Sequence, residues 1–141
     1  RKLVPISAER EISRQYLEIE KLRLGDRLKV SWHVNNVPRS ALIPALTLQP
    51  LLENAIYHGI EPRFQGGTLR IELWGEGETL NVMISNPLPD VPKHAHGKGN
   101  KIAVDNIRLR LESHFGDAAS MQAFQDGGQY HVKLRMPIVR G

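Results

Sequence analysis

The stretch LQPLLENAIYHGI, residues 48–60, determines how the chain folds and raises the question of what it does. In a helix that advances about 100° per residue, its apolar side chains fall within an arc of about 140°. They are Leu48, Leu51, Leu52, Ala55 and Ile56. The opposite arc carries four polar side chains, Glu53, Asn54, Tyr57 and His58. The apolar arc predicts burial against a core, whereas the polar arc is compatible with a solvated surface or with a binding site.

The pattern alone favours a merely solvated face, and the residue types of the polar arc weigh slightly against it. A solvated helix face usually carries Lys, Glu, Gln or Arg, whereas Asn and His are mediocre helix formers. Asn54 and His58 are four residues apart, so their side chains are neighbours on the helix surface. Asn54 would offer Mg²⁺ an amide oxygen, with the carboxylate of Glu53 within one turn of it.

The segments on either side of this stretch predict a domain of mixed helices and strands. Apolar spacing predicts helices at 8–24, with Ser7 as its N-cap, at 50–59 and at 102–115. Alternation of apolar and polar side chains predicts five strands, at 27–34, 68–74, 79–85, 121–125 and 130–136. The expected fold is a two-layer α+β sandwich, with helices on one face of a mixed, mostly antiparallel sheet of about five strands.

Residues 87–101, PLPDVPKHAHGKGNK, differ from the rest of the chain. They contain three prolines, two glycines, three lysines and two histidines, with few apolar side chains to anchor them. This composition predicts a loop of about 15 residues, and loops of that length in compact domains are usually functional or mobile.

Composition excludes several other classes of protein. The 141 residues suit a single domain, and the absence of cysteine excludes disulfides and thiolate metal sites. The longest uncharged stretch, 40–52, has 13 residues and two prolines, whereas a membrane span needs about 20 apolar residues. The net charge of +4 comes from scattered basic residues with few aromatics, which argues against a nucleic-acid surface. Because the chain begins at Arg1, we expect it to be part of a longer protein.

Three segments, in order, resemble motifs of one family. Residues 48–60 resemble the N box of sensor histidine kinases, in the form QPLxENAxxHG. Residues 16–28, YLEIEKLRLGDRL, resemble the signature just upstream of the ATP-binding domain in the same subfamily. Residues 105–116, DNIRLRLESHFG, resemble the helix that follows its second glycine box. The chain therefore resembles the LytS-like group of the GHKL superfamily over nearly its whole length.

This resemblance implies a Bergerat (GHKL) fold that holds ATP and Mg²⁺ between the 50–59 helix and a lid at 87–101. The γ-phosphoryl group would pass to a histidine on an upstream dimerisation helix that is absent from this chain. Asn54 matches the Mg²⁺ ligand of the family. Glu53 matches the adjacent acid, which would orient or deprotonate the attacking imidazole, and His58 matches a position near the phosphates.

The nucleotide half of the implied site departs from the family pattern. Asn86 stands where an aspartate usually accepts a hydrogen bond from the adenine amino group, and an asparagine carbonyl can still accept it. Gly99 of the second glycine box is retained, whereas Lys101 and Ala103 replace two of its glycines. The positively charged side chains of Lys98 and Lys101 would lie near the phosphates.

One further position of the N box also departs from the pattern. Tyr57 occupies the place of a lysine that often follows the N-box asparagine by three residues. We expect it to lie among the nucleotide-binding residues, with Asn54 and His58.

Two functions follow from these motifs. The first is the catalytic ATP-binding domain of a two-component sensor histidine kinase, with 1–26 as a linking helix and 27–141 as the domain. Its expected partners are a LytTR-type response regulator and its own upstream dimerisation helices. We expect the domain to be a cytoplasmic part of an inner-membrane protein. The second is a degenerate, kinase-like module with weak or no ATP binding that regulates a partner by docking.

Overall fold

The computed structural model describes residues 2–89 and 94–141, and for residues 94–101 it describes the backbone alone. The described residues form three α-helices, α1 (Ile6–Leu24), α2 (Leu48–Ala55) and α3 (His94–Phe115). They also form eight strands: β1 (Leu3–Pro5), β2 (Leu28–Asn35), β3 (Ala41–Pro44), β4 (Gly67–Glu76), β5 (Thr79–Pro87), β6 (Ser120–Asp126), β7 (Gln129–Pro137) and β8 (Val139–Arg140).

The larger sheet has five strands in the order β2-β4-β5-β7-β6. Strands β2 and β4 are parallel, and every other neighbouring pair is antiparallel. Alternate side chains of β4 point to the helices and are fully buried, namely Leu69, Ile71 and Leu73. The predicted α+β sandwich with a mostly antiparallel five-stranded sheet is therefore confirmed.

A second, smaller sheet was not predicted from the sequence. Strands β1, β3 and β8 pair antiparallel in the order β1-β3-β8. They are three, four and two residues long, which is too short for alternation to be recognised. This sheet leads the chain from β3 directly to the amino end of α2.

Helix α1 belongs to the same core as the sheet. It begins at Ile6 after Pro5, so Ser7 lies inside the helix and the predicted N-cap was wrong. Its buried side chains include Leu17 and Leu24, which join the single core cluster. The expected division of the chain at residue 26 stays a prediction.

Helix α3 begins at His94, eight residues before the predicted start. The prediction of a loop was therefore wrong for residues 94–101, whereas residues 90–93 lie outside the described part of the chain. Two glycines in the first turns lower helix propensity by about 1 kcal/mol each relative to alanine, which explains the prediction. Buried Val104, Ile107 and Leu111 anchor the helix on the core, and Gly116 ends it at φ 57°, as expected.

Candidate functional site

A cleft of about 500 Å³ lies between α2 with its continuation and the middle of α3. One side is lined by Pro50, Glu53, Asn54, Tyr57 and His58, and the other by Ile102, Ala103, Asn106 and Arg110. The fold thus brings together five residues singled out in the sequence: Glu53, Asn54, Tyr57, His58 and Ala103. Asn106 and Arg110 belong to a recognised motif, but sequence reasoning gave them no role.

The helix that carries the polar residues changes its winding within the cleft. Regular α2 ends at Ala55, and Ile56–Ile60 form a π-helical turn, closed by the bond from the Glu61 amide to the Ile56 carbonyl at 2.9 Å. Such turns are rare and occur frequently at functional sites. Because the winding differs, the uniform spacing of 100° per residue does not hold beyond Ala55.

The polar arc is consequently not one solvated surface. Asn54 is 8% exposed and His58 is 9% exposed, whereas Tyr57 is 53% exposed. The ring of His58 meets that of Tyr57 edge to face, with centroids 4.8 Å apart. Of the two interpretations left open by the sequence, a merely solvated face therefore fails for Asn54 and His58. The five apolar side chains of residues 48–56 are buried, as predicted.

Glu53 presents an exposed carboxylate at the rim of the cleft. Gln49, one turn earlier, donates a hydrogen bond from Nε2 to Glu53 Oε2 at 3.0 Å. This bond leaves the other carboxylate oxygen, Oε1, to face solvent or a ligand. The Glu53 charge is also felt by Tyr16 of α1, whose pKa is raised mainly by burial and further by Glu20 and Glu53. A carboxylate held in this way can accept a proton or orient a neighbouring donor.

Arg110 connects α3 to the start of α2. Its guanidinium Nη1 donates a hydrogen bond to the carbonyl of Leu46, in the turn before α2, and the residue also lines the cleft. The planar guanidinium group of arginine binds phosphates and carboxylates with a fixed geometry, so an arginine beside the cleft could bind an anionic ligand there. Its position four residues after Asn106, on one helix face, was the signal available in the sequence.

Asn86, at the carboxyl end of β5, is buried against the π-helical turn. Its Nδ2 donates to the carbonyl of Pro87 at 2.9 Å. A Cβ placed on Gly59 would lie 2.1 Å from Asn86 Nδ2 and 2.9 Å from Asn86 Cβ. Gly59 therefore permits a close approach that no other residue type would allow. Asn86 is not among the residues that line the cleft.

The remaining predicted residues lie in the first turns of α3. Lys98, Gly99 and Lys101 are part of the helix, and their side chains lie outside the described part of the structure. Ala103, the next predicted residue, faces the cleft. The expected roles of the two lysines stay predictions.

The cleft has a donor and a volume that would suit a magnesium nucleotide. Within residues 2–89 and the described side chains from 102 onward, no group of three or more His, Asp or Glu could hold a metal. Mg²⁺ typically uses one or two protein oxygens together with phosphates and water, and the amide oxygen of Asn54 would supply one of them. The volume also lies within the usual range of ligand pockets, about 300–1,000 Å³.

Comparison with characterised proteins gives consistent relatives. The chain is 33% identical over 131 residues to the sensor protein LytS of Oceanobacillus iheyensis, covering 84% of this chain and 22% of that protein. It is 32% identical over 137 residues to the sensor histidine kinase BtsS of Escherichia coli K12, covering 95% of this chain and 24% of that protein. The sensor histidine kinase YesM of Bacillus subtilis is 32% identical over 119 residues, covering 82% and 20%. No protein-family profile matches the chain.

Solved structures show the same fold. The catalytic domain of the histidine kinase ThkA superposes with a TM-score of 0.68 at 13% identity, covering 98% of this chain and 99% of that one. The mycobacterial sensor histidine kinase MprB gives a TM-score of 0.64 at 14% identity and covers 99% of both chains. The chain thus spans a fifth to a quarter of the length of the curated relatives but nearly all of the ThkA catalytic domain.

Among the described residues, no helix has the length and apolar character needed to cross a bilayer.

Proposed function

We propose that the chain binds ATP with Mg²⁺ and transfers the γ-phosphoryl group to a histidine upstream of this chain. Two findings support the proposal: most of the chain is similar in sequence to the sensor protein LytS, and the fold is that of the catalytic domain of the histidine kinase ThkA. The observation that supports this most is the cleft, where Glu53, Asn54 and His58 face Ala103 and Arg110. These residues come from two helical segments that are far apart in the sequence, and only the fold brings them together.

Each side chain of the cleft has a role suited to its chemistry. Asn54 offers its amide oxygen to Mg²⁺, and the metal, when bound, neutralises charge on the phosphates. Glu53 orients the attacking imidazole and accepts its proton, which its exposed carboxylate can reach. His58 and Arg110 contribute hydrogen-bond donors towards the phosphates, and Tyr57 covers the outer rim of the cleft.

Asn86 is proposed to recognise the nucleotide base. Since Nδ2 donates to the Pro87 carbonyl, Oδ1 is the atom that can accept a hydrogen bond from an adenine amino group. A neutral amide oxygen is a weaker acceptor than a carboxylate, so adenine binding is weaker than with the aspartate that the family pattern has here. Lys98, Gly99 and Lys101 are proposed to approach the phosphates from the start of α3.

Titration of ATP into the full-length protein tests this proposal. We expect binding in the micromolar to low-millimolar range in the presence of Mg²⁺, and we expect Asn54→Ala to weaken it about tenfold or more. Without Mg²⁺, the wild type and Asn54→Ala should bind ATP with similar affinity, because the lost group is the metal ligand. Asn35→Ala, at an exposed position at the end of β2, is the matched control and should bind like the wild type. Absence of ATP binding at millimolar concentrations would refute the proposal.

The second candidate function is a degenerate module that regulates a partner by docking. The segment NPLPD, residues 86–90, favours it, because both glycines of the family's first glycine box are missing and prolines restrict the turn. The cleft and its intact Glu53–Asn54 pair favour catalysis. The same titration separates the two, since a docking module requires no magnesium-dependent nucleotide binding.

The remaining assignments concern the whole protein. We propose a LytTR-type response regulator as the phosphoryl acceptor downstream, a homodimer formed by upstream helices, and a location on the cytoplasmic side of an inner membrane. One structural neighbour of the same fold, ThkA, has been solved in complex with the response regulator protein TrrA. The motifs also resemble those of the sensor that regulates alginate production and twitching motility, and this finer match stays a prediction.

A further inference from the structure

Glu9 of α1 contacts the amino end of α2 in an unusual way. Its side chain is buried, with the residue 7% exposed, although glutamate is seldom buried unless it is paired. Oε2 accepts a hydrogen bond from the Leu46 amide at 2.8 Å. Oε1 accepts bonds from the amides of Thr47 at 3.1 Å and Leu48 at 3.0 Å. One carboxylate thus satisfies three successive backbone donors at the start of the helix.

These bonds replace the cap that the helix does not supply itself. Thr47 is at the N-cap position, but its hydroxyl donates backwards to the Pro44 carbonyl at 2.5 Å. A carboxylate is especially favourable at this point, because the amino end of a helix carries partial positive charge and the bonds are charge-assisted. Helix α2 is therefore capped by a side chain located 37 to 39 residues earlier in the sequence.

The other end of the same helical segment is also held from α1 and the turn after it. Arg27 Nη2 donates to the carbonyls of Glu61 and Arg63, both at 2.8 Å, just beyond the π-helical turn. Arg23 of α1 forms an ion pair with Glu61 at 2.5 Å. Residues 9–27 thus hold the segment from Leu46 to Arg63 at both of its ends.

The capped turn also meets the opposite wall of the cleft. Leu46 gives its amide to Glu9 of α1 and receives a hydrogen bond on its carbonyl from Arg110 of α3. It does so in a left-handed conformation, with φ 62°, which leucine rarely adopts and which the surrounding bonds must maintain. A single peptide segment therefore links α1, α2 and α3 about one turn before Pro50, the first of the cleft residues on α2.

We propose that Glu9 is a positioning residue for the phosphoryl-transfer site: by fixing the amino end of α2 against α1, it sets where Glu53 and Asn54 stand relative to α3. This inference rests on the proposed function, because the geometry it controls is that of the magnesium nucleotide. Glu9 is more than 35 residues from the N box in sequence and touches no substrate itself. Removing it leaves three amides without their acceptor and releases the Leu46 turn from α1.

The first measurement is hydrogen–deuterium exchange on the nucleotide-free, full-length protein. In Glu9→Ala, the amides of Leu46, Thr47 and Leu48 should exchange at least about tenfold faster than in the wild type, since each loses its acceptor. Glu9→Gln, which retains one acceptor oxygen, should lie between the two. Glu18→Gln, an exposed glutamate on the same helix, is the matched control and should leave these amides unchanged.

The second measurement is autophosphorylation together with ATP affinity. Displacement of catalytic groups by about 1 Å can cost up to about 100-fold in rate, so we expect kcat of Glu9→Ala to fall about tenfold or more. The affinity for ATP without Mg²⁺ should stay within about twofold, because the base and phosphate contacts are retained. Glu9→Gln should recover part of the lost kcat.

Val132→Ala separates positioning from a general loss of stability. It removes buried side-chain volume from β7, lowers the melting temperature, and leaves the α2 cap intact. The inference is overturned if the 46–48 amides of Glu9→Ala stay protected, or if its kcat falls no more than that of Val132→Ala at equal loss of stability. If the wild type itself binds no ATP, the proposed function fails, and so does the positioning role; exchange at 46–48 would still show whether Glu9 caps the helix.

Discussion

At the scale of single residues, the cleft depends on close contacts that only particular side chains allow. Gly59 lies inside the π-helical turn, where Asn86 of β5 packs directly against its backbone. The glycine thus determines how near Asn86, the proposed base-recognising residue, can come to the helical segment that carries Asn54 and His58. Its presence in the motif has a steric reason, apart from any backbone flexibility.

Gly59→Ala should therefore lower both stability and ATP affinity. The added Cβ would lie 2.1 Å from Asn86 Nδ2, 2.6 Å from Cγ and 2.9 Å from Cβ, so a change of rotamer alone cannot relieve it. Overpacking of this kind costs about 1–3 kcal/mol, measurable as the free energy of unfolding in urea. Adding Asn86→Ala removes the two shortest contacts and should restore part of the stability. A Gly59→Ala variant as stable as the wild type would contradict the contact.

At the scale of elements, the sequence predicted what local patterns encode and missed what long-range contacts impose. The apolar arc of Leu48–Ile56, the strands at 68–74 and 79–85, and the end of the last helix at residue 115 follow from the spacing of apolar residues, and they are confirmed. The π-helical turn was missed, because its winding has no signature in a count of apolar positions. The start of α3 was missed, because the core contacts of its later turns outweigh the low helix propensity of the two glycines in its first turns.

The residues of the proposed site divide in the same way. Glu53, Asn54, Tyr57 and His58 share one short segment, so a motif could predict them together. Glu9 and Arg110 act through backbone groups of the Leu46 turn, and a backbone partner leaves no mark on the sequence at the position that it contacts. Such contacts become visible only when the fold places the three helices side by side.

Packing of α1 on α2 should also give the protein a distinct alkaline dependence. Burial, with the nearby charges of Glu20, Glu53 and Glu61, raises the pKa of Tyr16 well above its ordinary value of about 10. Burial also raises the pKa of Tyr130. Above about pH 10 the unfolded chain ionises these tyrosines while the folded protein keeps them protonated, so the free energy of unfolding falls as pH rises.

Tyr16→Phe removes one of these groups and should flatten the decline. The measurement is the free energy of urea unfolding at intervals between pH 9 and 11.5, for the wild type, Tyr16→Phe, Tyr130→Phe and the double variant. Below about pH 9 the pH dependence of each variant should match that of the wild type, and above about pH 10 the double variant should show the smallest slope. An unchanged slope in Tyr16→Phe would show that the hydroxyl titrates alike in both states.

At the scale of the whole molecule, the structure is a two-layer sandwich in which α2 and α3 border one cleft and α1 packs against α2. The five-stranded sheet supports α1, α2 and α3 from one side, and the small sheet of β1, β3 and β8 delivers the chain to the capped end of α2. The relatives include the sensor protein LytS and the sensor histidine kinase BtsS, and the catalytic domain of another histidine kinase, ThkA, has the same fold. We propose that this cleft performs phosphoryl transfer despite the altered glycine boxes.

The most direct test is transfer of radiolabelled γ-phosphoryl from ATP to the full-length protein with Mg²⁺ present. We expect an acid-labile, alkali-stable label, as a phosphohistidine gives. The rate of labelling should be at least about tenfold lower in Glu53→Gln and in Asn54→Ala. Glu18→Gln, with the same chemical change at an exposed site on α1, should label at the wild-type rate. Magnesium-dependent ATP binding without any labelled histidine, or full labelling of both cleft variants, would contradict the account.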